Sequence, residues 1–226
     1  MRPALSALLA VSLAGCESDL KVIPSTVQWM EWPAEVPVAM PFTVRLLVSR
    51  PGCFQGVYKS GITADQSAVT FAPYFLVKNA TPILCLPEAQ PVDVYYGALD
   101  TVGTAPGLQA DFARTFEMRA AASVYAAQAP LTAADLPVRT YGEVTVRLTN
   151  PDNLRRSAGG FASKFVDNLG CARLMPAGAI SLASSYVLED QADTVAFGYA
   201  FVRGYIHDAT TPVCGQLRVF ELLSRN

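Results

Sequence analysis

Prolines and short alternating apolar runs set the strongest limit on what this chain can fold into. The sequence holds 16 prolines, and the runs between them are short and rich in β-branched and aromatic residues. Thr26–Trp32 (TVQWMEW) and Phe42–Ser49 (FTVRLLVS) read as strands parted by Pro33, Pro37 and Pro41. Ala68–Lys78 (AVTFAPYFLVK) contains Pro73, which has no N–H for a ladder. That predicts an edge strand, or two strands with a break. Val92–Val102 and Arg114–Tyr125 complete a set of about six strands, with turns at Pro51-Gly52 and Pro106-Gly107.

This spacing predicts an antiparallel sandwich over residues 26–128. Its order of cysteines and strands resembles an immunoglobulin-like module. No Trp lies between Cys53 and Cys85, so the resemblance concerns the architecture alone. The Ala-rich segment Ala120–Leu136 carries Pro130 and is followed by Pro137. It predicts a linker at 129–137, with a helical turn too short to stand alone. A second set follows: Tyr141–Thr149, Cys171–Met175, Ser184–Glu189, Gly198–Asp208 and Gln216–Leu223. Five strands with a long first connection resemble a small oligonucleotide/oligosaccharide-binding (OB)-like barrel over 138–226. That connection, Asn153–Gly170, holds Gly159-Gly160 and a short helix expected at Ser163–Leu169. The fold class read from the residues is therefore all-β, in two domains.

The amino terminus bears on location. Arg2 precedes Ala4–Ala14, an uncharged and mostly apolar run of 11 residues. A spanning helix needs about 20, so the run fits a signal-peptide core. Leu13-Ala14-Gly15-Cys16 then matches the lipobox, and the segment resembles that of bacterial lipoproteins. The resemblance implies removal of residues 1–15, a thioether-linked diacylglycerol on Cys16 and acylation of the new amino terminus. Glu17 stands where an Asp would retain the protein at the inner membrane in enteric bacteria, which points to the outer membrane. Two or more acyl chains anchor stably where one does not. Residues 16–25 read as a tether.

Without Cys16, Cys53, Cys85, Cys171 and Cys214 remain. Export places them in an oxidising compartment. Of the three pairings four cysteines allow, Cys53–Cys85 and Cys171–Cys214 each close a loop within one half. The absence of Cys-x-x-Cys spacing indicates neither a redox pair nor a zinc site. The net charge is −2. Loss of Arg2 makes it −3, which argues against nucleic acid as a partner. A content of 51% hydrophobic and 16% charged residues excludes disorder as the general state.

Reaction chemistry is sparse. His207 is the one histidine, and no Gly-x-Ser-x-Gly elbow offers it a nucleophile. Tyr74 and Lys78 match a dehydrogenase spacing that needs a helix, which Pro73 removes. The sequon Asn79-Ala80-Thr81 is set aside. Glu189–Asp193 gathers three carboxylates and reads as a solvated loop. A hydrolase would need two of Glu143, Glu189, Asp190 and Asp193 across a cleft. The binding candidates are Arg155, Arg156, Phe161, Lys164 and Phe165, a basic and aromatic mixture on the expected loop. The plainer reading has Phe161 and Phe165 plugging one end of the barrel. Tyr199, Phe201 and Tyr205 share one strand face by spacing. No cofactor or metal is indicated. The expected function is a non-catalytic binding or scaffolding module anchored to the cell envelope at Cys16, its partner an envelope protein, a polysaccharide or another copy. The alternative is a small-ligand or glycan receptor on the barrel face.

Overall fold

The computed structural model describes residues 20–38, 40, 42–50, 56–64, 67–78, 88–96, 114–121, 137–148, 155–177, 179, 182–192 and 195–226. Cys16, Cys53, Cys85, the sequon, Asp193 and the segment 122–136 lie outside these residues. Among the described residues no helix is long and apolar enough to cross a membrane.

The described chain is all-β, apart from a 3-10 turn at Leu182–Ser184. The strands are β1 (Leu20–Pro24), β2 (Val27–Pro33), β3 (Glu35–Pro37), β4 (Phe42–Arg50), β5 (Gly56–Ala64), β6 (Ala68–Lys78) and β7 (Glu88–Tyr96). They continue as β8 (Arg114–Ala121), β9 (Val138–Arg147), β10 (Arg156–Val166), β11 (Ala172–Pro176), β12 (Tyr186–Leu188), β13 (Phe197–Val213) and β14 (Gln216–Arg225). One sheet runs β1-β6-β8-β9-β3, with β5 also on β6. The other runs β11-β12-β14-β13-β10-β2-β4-β7.

The strand pairing crosses the expected linker. β8, from before it, pairs with β9, from after it. β2 lies between β4 and β10. Both sheets thus draw strands from both halves, and a division at 129–137 does not separate them. The chain changes sheets at Ala34, between β2 and β3. Its N–H donates to the Arg155 carbonyl (3.1 Å), and its own carbonyl accepts the Thr145 N–H (3.0 Å).

Two cores share one wall. The first lies between the sheets, where Met30, Trp32, Val44, Leu46, Phe71, Phe116, Met118, Tyr141 and Val144 are buried. Two buried donors bridge it: Trp32 Nε1 to the Glu143 carbonyl (2.9 Å) and Tyr141 OH to the Val27 carbonyl. The second core gathers Trp29, Ala158, Leu174, Leu188, Val202, Ile206 and Phe220. A shift in the β2–β4 register between Val27 and Trp29 lets Val27 face the first core and Trp29 the second.

The second core fills a ring. β10 pairs β11, β11 pairs β12, β12 pairs β14, β14 pairs β13, and β13 returns to β10. Within it only β12 and β14 are parallel. A row leaving β10 at Phe165 passes Arg173, Val187 and Val219 to His207, whose neighbour Ile206 pairs with Arg156. The ring therefore closes with a stagger of roughly ten residues. Its first strand is β10, and β9, expected in that role, belongs to the other sheet.

Several local expectations are corrected. Asn153–Gly170 was expected as a loop with a helix at Ser163–Leu169, yet Arg156–Val166 is an 11-residue strand between β2 and β13. Gly159 and Gly160 serve close packing there. A Cβ on Gly159 would overlap the Tyr141 carbonyl oxygen, and one on Gly160 the Gln28 carbonyl oxygen. Residues 20–24 form β1 in place of tether, paired to β6 from Leu20↔Lys78 to Pro24↔Tyr74. β6 is neither broken nor an edge. Along one side it pairs β5, and along the other β1 gives way to β8. Pro73 sits at that changeover, its carbonyl accepting the Ser25 N–H (2.9 Å), so its missing N–H falls where no ladder bond is needed.

Cys171 and Cys214 form a disulfide across 43 residues, with Cα atoms 6.1 Å apart. It ties the start of the ring's second strand to the turn before its fifth. That turn needs a positive φ at both Cys214 (50°) and Gly215 (73°), as a two-residue hairpin of this kind requires.

Candidate functional site

The five binding candidates do not form one surface. They are strung along β10, and a strand rises about 3.3 Å per residue. Residues on its two faces meet different surroundings. Ala158, Ala162 and Lys164 face the ring interior, and Lys164 is 2% exposed. Phe161 faces the first core. Its ring meets Phe201 edge-on at 5.4 Å, and the Arg139 guanidinium lies over both rings at 4.7 Å. Arg156 pairs in register with Pro33 and Ile206, and half-buried Phe165 with Arg173. Phe161 thus packs between ring and sandwich, and does not plug the barrel's end. Only Arg155, just before the strand, is exposed among charged partners.

The ring interior is occupied by the chain's own side chains. Trp29, Tyr186 and Phe220 lie pairwise 5.8 Å apart, centroid to centroid. Glu31, 6% exposed, is the polar group among them. Its Oε1 accepts hydrogen bonds from Trp29 Nε1 (3.1 Å) and from Tyr186 OH. Burial, then the negative charge of Glu31, pushes the Tyr186 phenol well above its usual range. Both bonds fall on one oxygen of the buried carboxyl and offset part of the cost of taking it from water.

The outer face of the ring brings together a set that the sequence spreads over 67 positions. On β13, Ile206 faces inward, so Tyr205 and His207 face outward. On β14, Glu221 stands opposite Tyr205. Glu189 follows β12, and its N–H donates to the Phe220 carbonyl (2.9 Å). His207 Nε2 is 3.2 Å from Glu189 Oε2. Arg155 pairs with Glu221 and lies 4.0 Å above the Tyr205 ring. The ligating atoms of Glu189, His207 and Glu221 all lie within 4.8 Å of one another.

Other singled-out residues fall elsewhere. Glu143 is on β9 opposite Glu117, in the other sheet. Asp190 accepts the Ala192 N–H in a turn (2.9 Å). Tyr74 and Lys78 lie in an extended strand, about 13 Å apart along it, which a helical catalytic pair cannot use. Tyr199, Phe201 and Tyr205 do lie in one strand, but Phe201 is buried and Tyr199 is 68% exposed. Sequence reasoning passed over Glu221 altogether. Its only signal was alternation against Phe220, which marks it as outward-facing without naming its neighbours.

Asp167 organises the β10–β11 turn. One carboxylate oxygen accepts the Leu169 and Cys171 N–H groups (2.9 and 3.0 Å), and the other takes Arg173 Nε at 2.6 Å. The Arg173 bond, then the Cys171 N–H, holds its carboxyl below the usual range.

Comparison with known proteins assigns no family: no protein-family model, curated protein or solved structure matches this chain.

Proposed function

We propose that this chain is a lipid-anchored protein of the cell envelope, held at the outer membrane, whose β body is a non-catalytic binding or scaffolding module. The observation that carries this reading is the match of Leu13-Ala14-Gly15-Cys16 to the lipobox behind an apolar run. β1 begins at Leu20, so at most about 14 Å of extended chain joins an acylated Cys16 to the body. A module tethered so closely meets membrane-associated partners at high effective concentration.

The strand order and stagger of the ring support an OB-like barrel, and the strands flanking the first core support a sandwich. Because Trp29, Tyr186 and Phe220 fill the ring, a partner would meet its outer face. There Arg155 over the Tyr205 ring offers a charged and aromatic surface. That surface also supports the second reading, a glycan or small-ligand receptor, in place of the Phe161 and Phe165 set.

Detergent-phase partitioning and mass spectrometry of the mature amino terminus test the anchor. The expected result is an acylated Cys16 and a detergent-phase protein, with Cys16→Ser moving it to the aqueous phase. An unmodified Cys16 on a water-phase protein would overturn the reading. Loss of glycan binding on Arg155→Ala and Tyr205→Ala would favour the second reading over the first.

A further inference from the structure

We propose that Glu189, His207 and Glu221 form a site for a zinc-class divalent cation on the outer face of the ring. Two paired strands and the residue that follows a third place the ligands. His207 and Glu221 are on paired strands, with Val219 opposite His207 and Tyr205 opposite Glu221. Glu189 is held against β14 through the Phe220 carbonyl. All three backbones are thus set by ladder bonds, and side-chain rotation alone closes the site.

The distances permit this. Zinc ligands sit about 2.0–2.2 Å from the metal, so two of them lie no more than about 4.4 Å apart. The three ligating atoms are already within 4.8 Å of one another. The donor chemistry selects the metal class. One imidazole nitrogen with two carboxylate oxygens suits a borderline cation such as Zn²⁺, whereas Ca²⁺ and Mg²⁺ favour all-oxygen shells. Two carboxylates also neutralise the ion's charge. Three protein ligands leave a fourth position for water or for a donor from a partner.

Arg155 is the built-in competitor. It pairs with Glu221, and a cation must take its place. The guanidinium need not return wholly to water, because it already rests over the Tyr205 ring. Arg155 therefore lowers the affinity of the site without blocking it.

The test is a calorimetric titration of the full, detergent-solubilised chain with ZnCl₂ after chelator treatment, with the cysteines oxidised. One zinc per chain is expected. His207→Ala and Glu189→Gln should each weaken binding by at least about tenfold, and Arg155→Ala should strengthen it. Both ligand variants are checked by thermal melting in the absence of metal. Co²⁺ in place of zinc should give a visible absorption band that His207→Ala abolishes. Zinc binding that is absent, or unchanged in both ligand variants, overturns the proposal. So does a site that takes Ca²⁺ or Mg²⁺ in preference to zinc. This outcome is independent of acylation at Cys16, so the two proposals fail separately.

Discussion

Trp29 stacks on Tyr186, the ring centroids 5.8 Å apart and the planes inclined by 26°. The two belong to opposite halves of the chain, and Glu31 accepts a hydrogen bond from each. A residue of β2 thereby completes the core of a ring whose five strands all come later. The ring cannot be filled without the first half.

Trp29→Ala should therefore destabilise the whole protein. Removing a buried aromatic of this size costs about 3–5 kcal/mol. Chemical denaturation should show one lowered midpoint, not loss of a separate subunit. Residues 138–226 expressed alone should lack a cooperative transition. A stable fragment with native-like unfolding would contradict the shared architecture.

The close approach at β10 makes a second prediction. Gly159→Ala pushes a methyl into the Tyr141 carbonyl, a backbone atom that cannot step aside. The expected cost is about 1–3 kcal/mol or more. Gly198→Ala is the control, since nothing lies within 4 Å of its added Cβ. It should change stability by no more than about 0.5 kcal/mol. Thermal melts of the two variants make the comparison.

The Cys171–Cys214 disulfide spans 43 residues. In the chain-entropy account a loop of that size is worth about 4 kcal/mol. The double variant Cys171→Ser, Cys214→Ser should lose stability on that order in urea, and added reductant should have less effect on it than on the parent.

Acid should loosen the β10–β11 turn. The carboxyl of Asp167 is held below its unfolded value, chiefly by Arg173. Such a group stabilises the fold above its unfolded pKa of about 3.9. That contribution disappears as pH falls through the lower, folded value. Urea midpoints measured downward from pH 5 should fall more steeply for the parent than for Asp167→Asn.

Alkali acts through the tyrosines. Burial raises the phenol of Tyr141, and burial with the Glu31 charge raises that of Tyr186. Their stabilising contribution is complete below the unfolded value of about 10 and is lost as pH rises toward the folded ones. Of nine tyrosines, these two should show phenolate absorbance only as the protein unfolds. Titration of all nine before loss of structure would contradict the burial.

Much of the strand content was legible in the residues. β6 coincides with the expected Ala68–Lys78, and the later strands β11 to β14 each overlap an expected one. Those strands announce themselves as short apolar runs set between turn residues. The Cys171–Cys214 pairing followed from the same local reasoning. β10 did not announce itself. A strand with a core on each face need not alternate, and Gly159-Gly160, which lets neighbouring backbones approach, carries the composition of a loop.

By itself the sequence determined the local rules: all-β structure, turns and the pairing of Cys171 with Cys214. Only the tertiary structure decided which strands are neighbours, because ladder bonds are made alike by any extended backbone and carry no record of their partner. It placed β2 beside β10, seated Trp29 inside a ring built from the other half, and brought Glu189, His207 and Glu221 to one face. Their convergence comes from the pairing of β14 with β12 on one side and β13 on the other, and no local spacing encodes it.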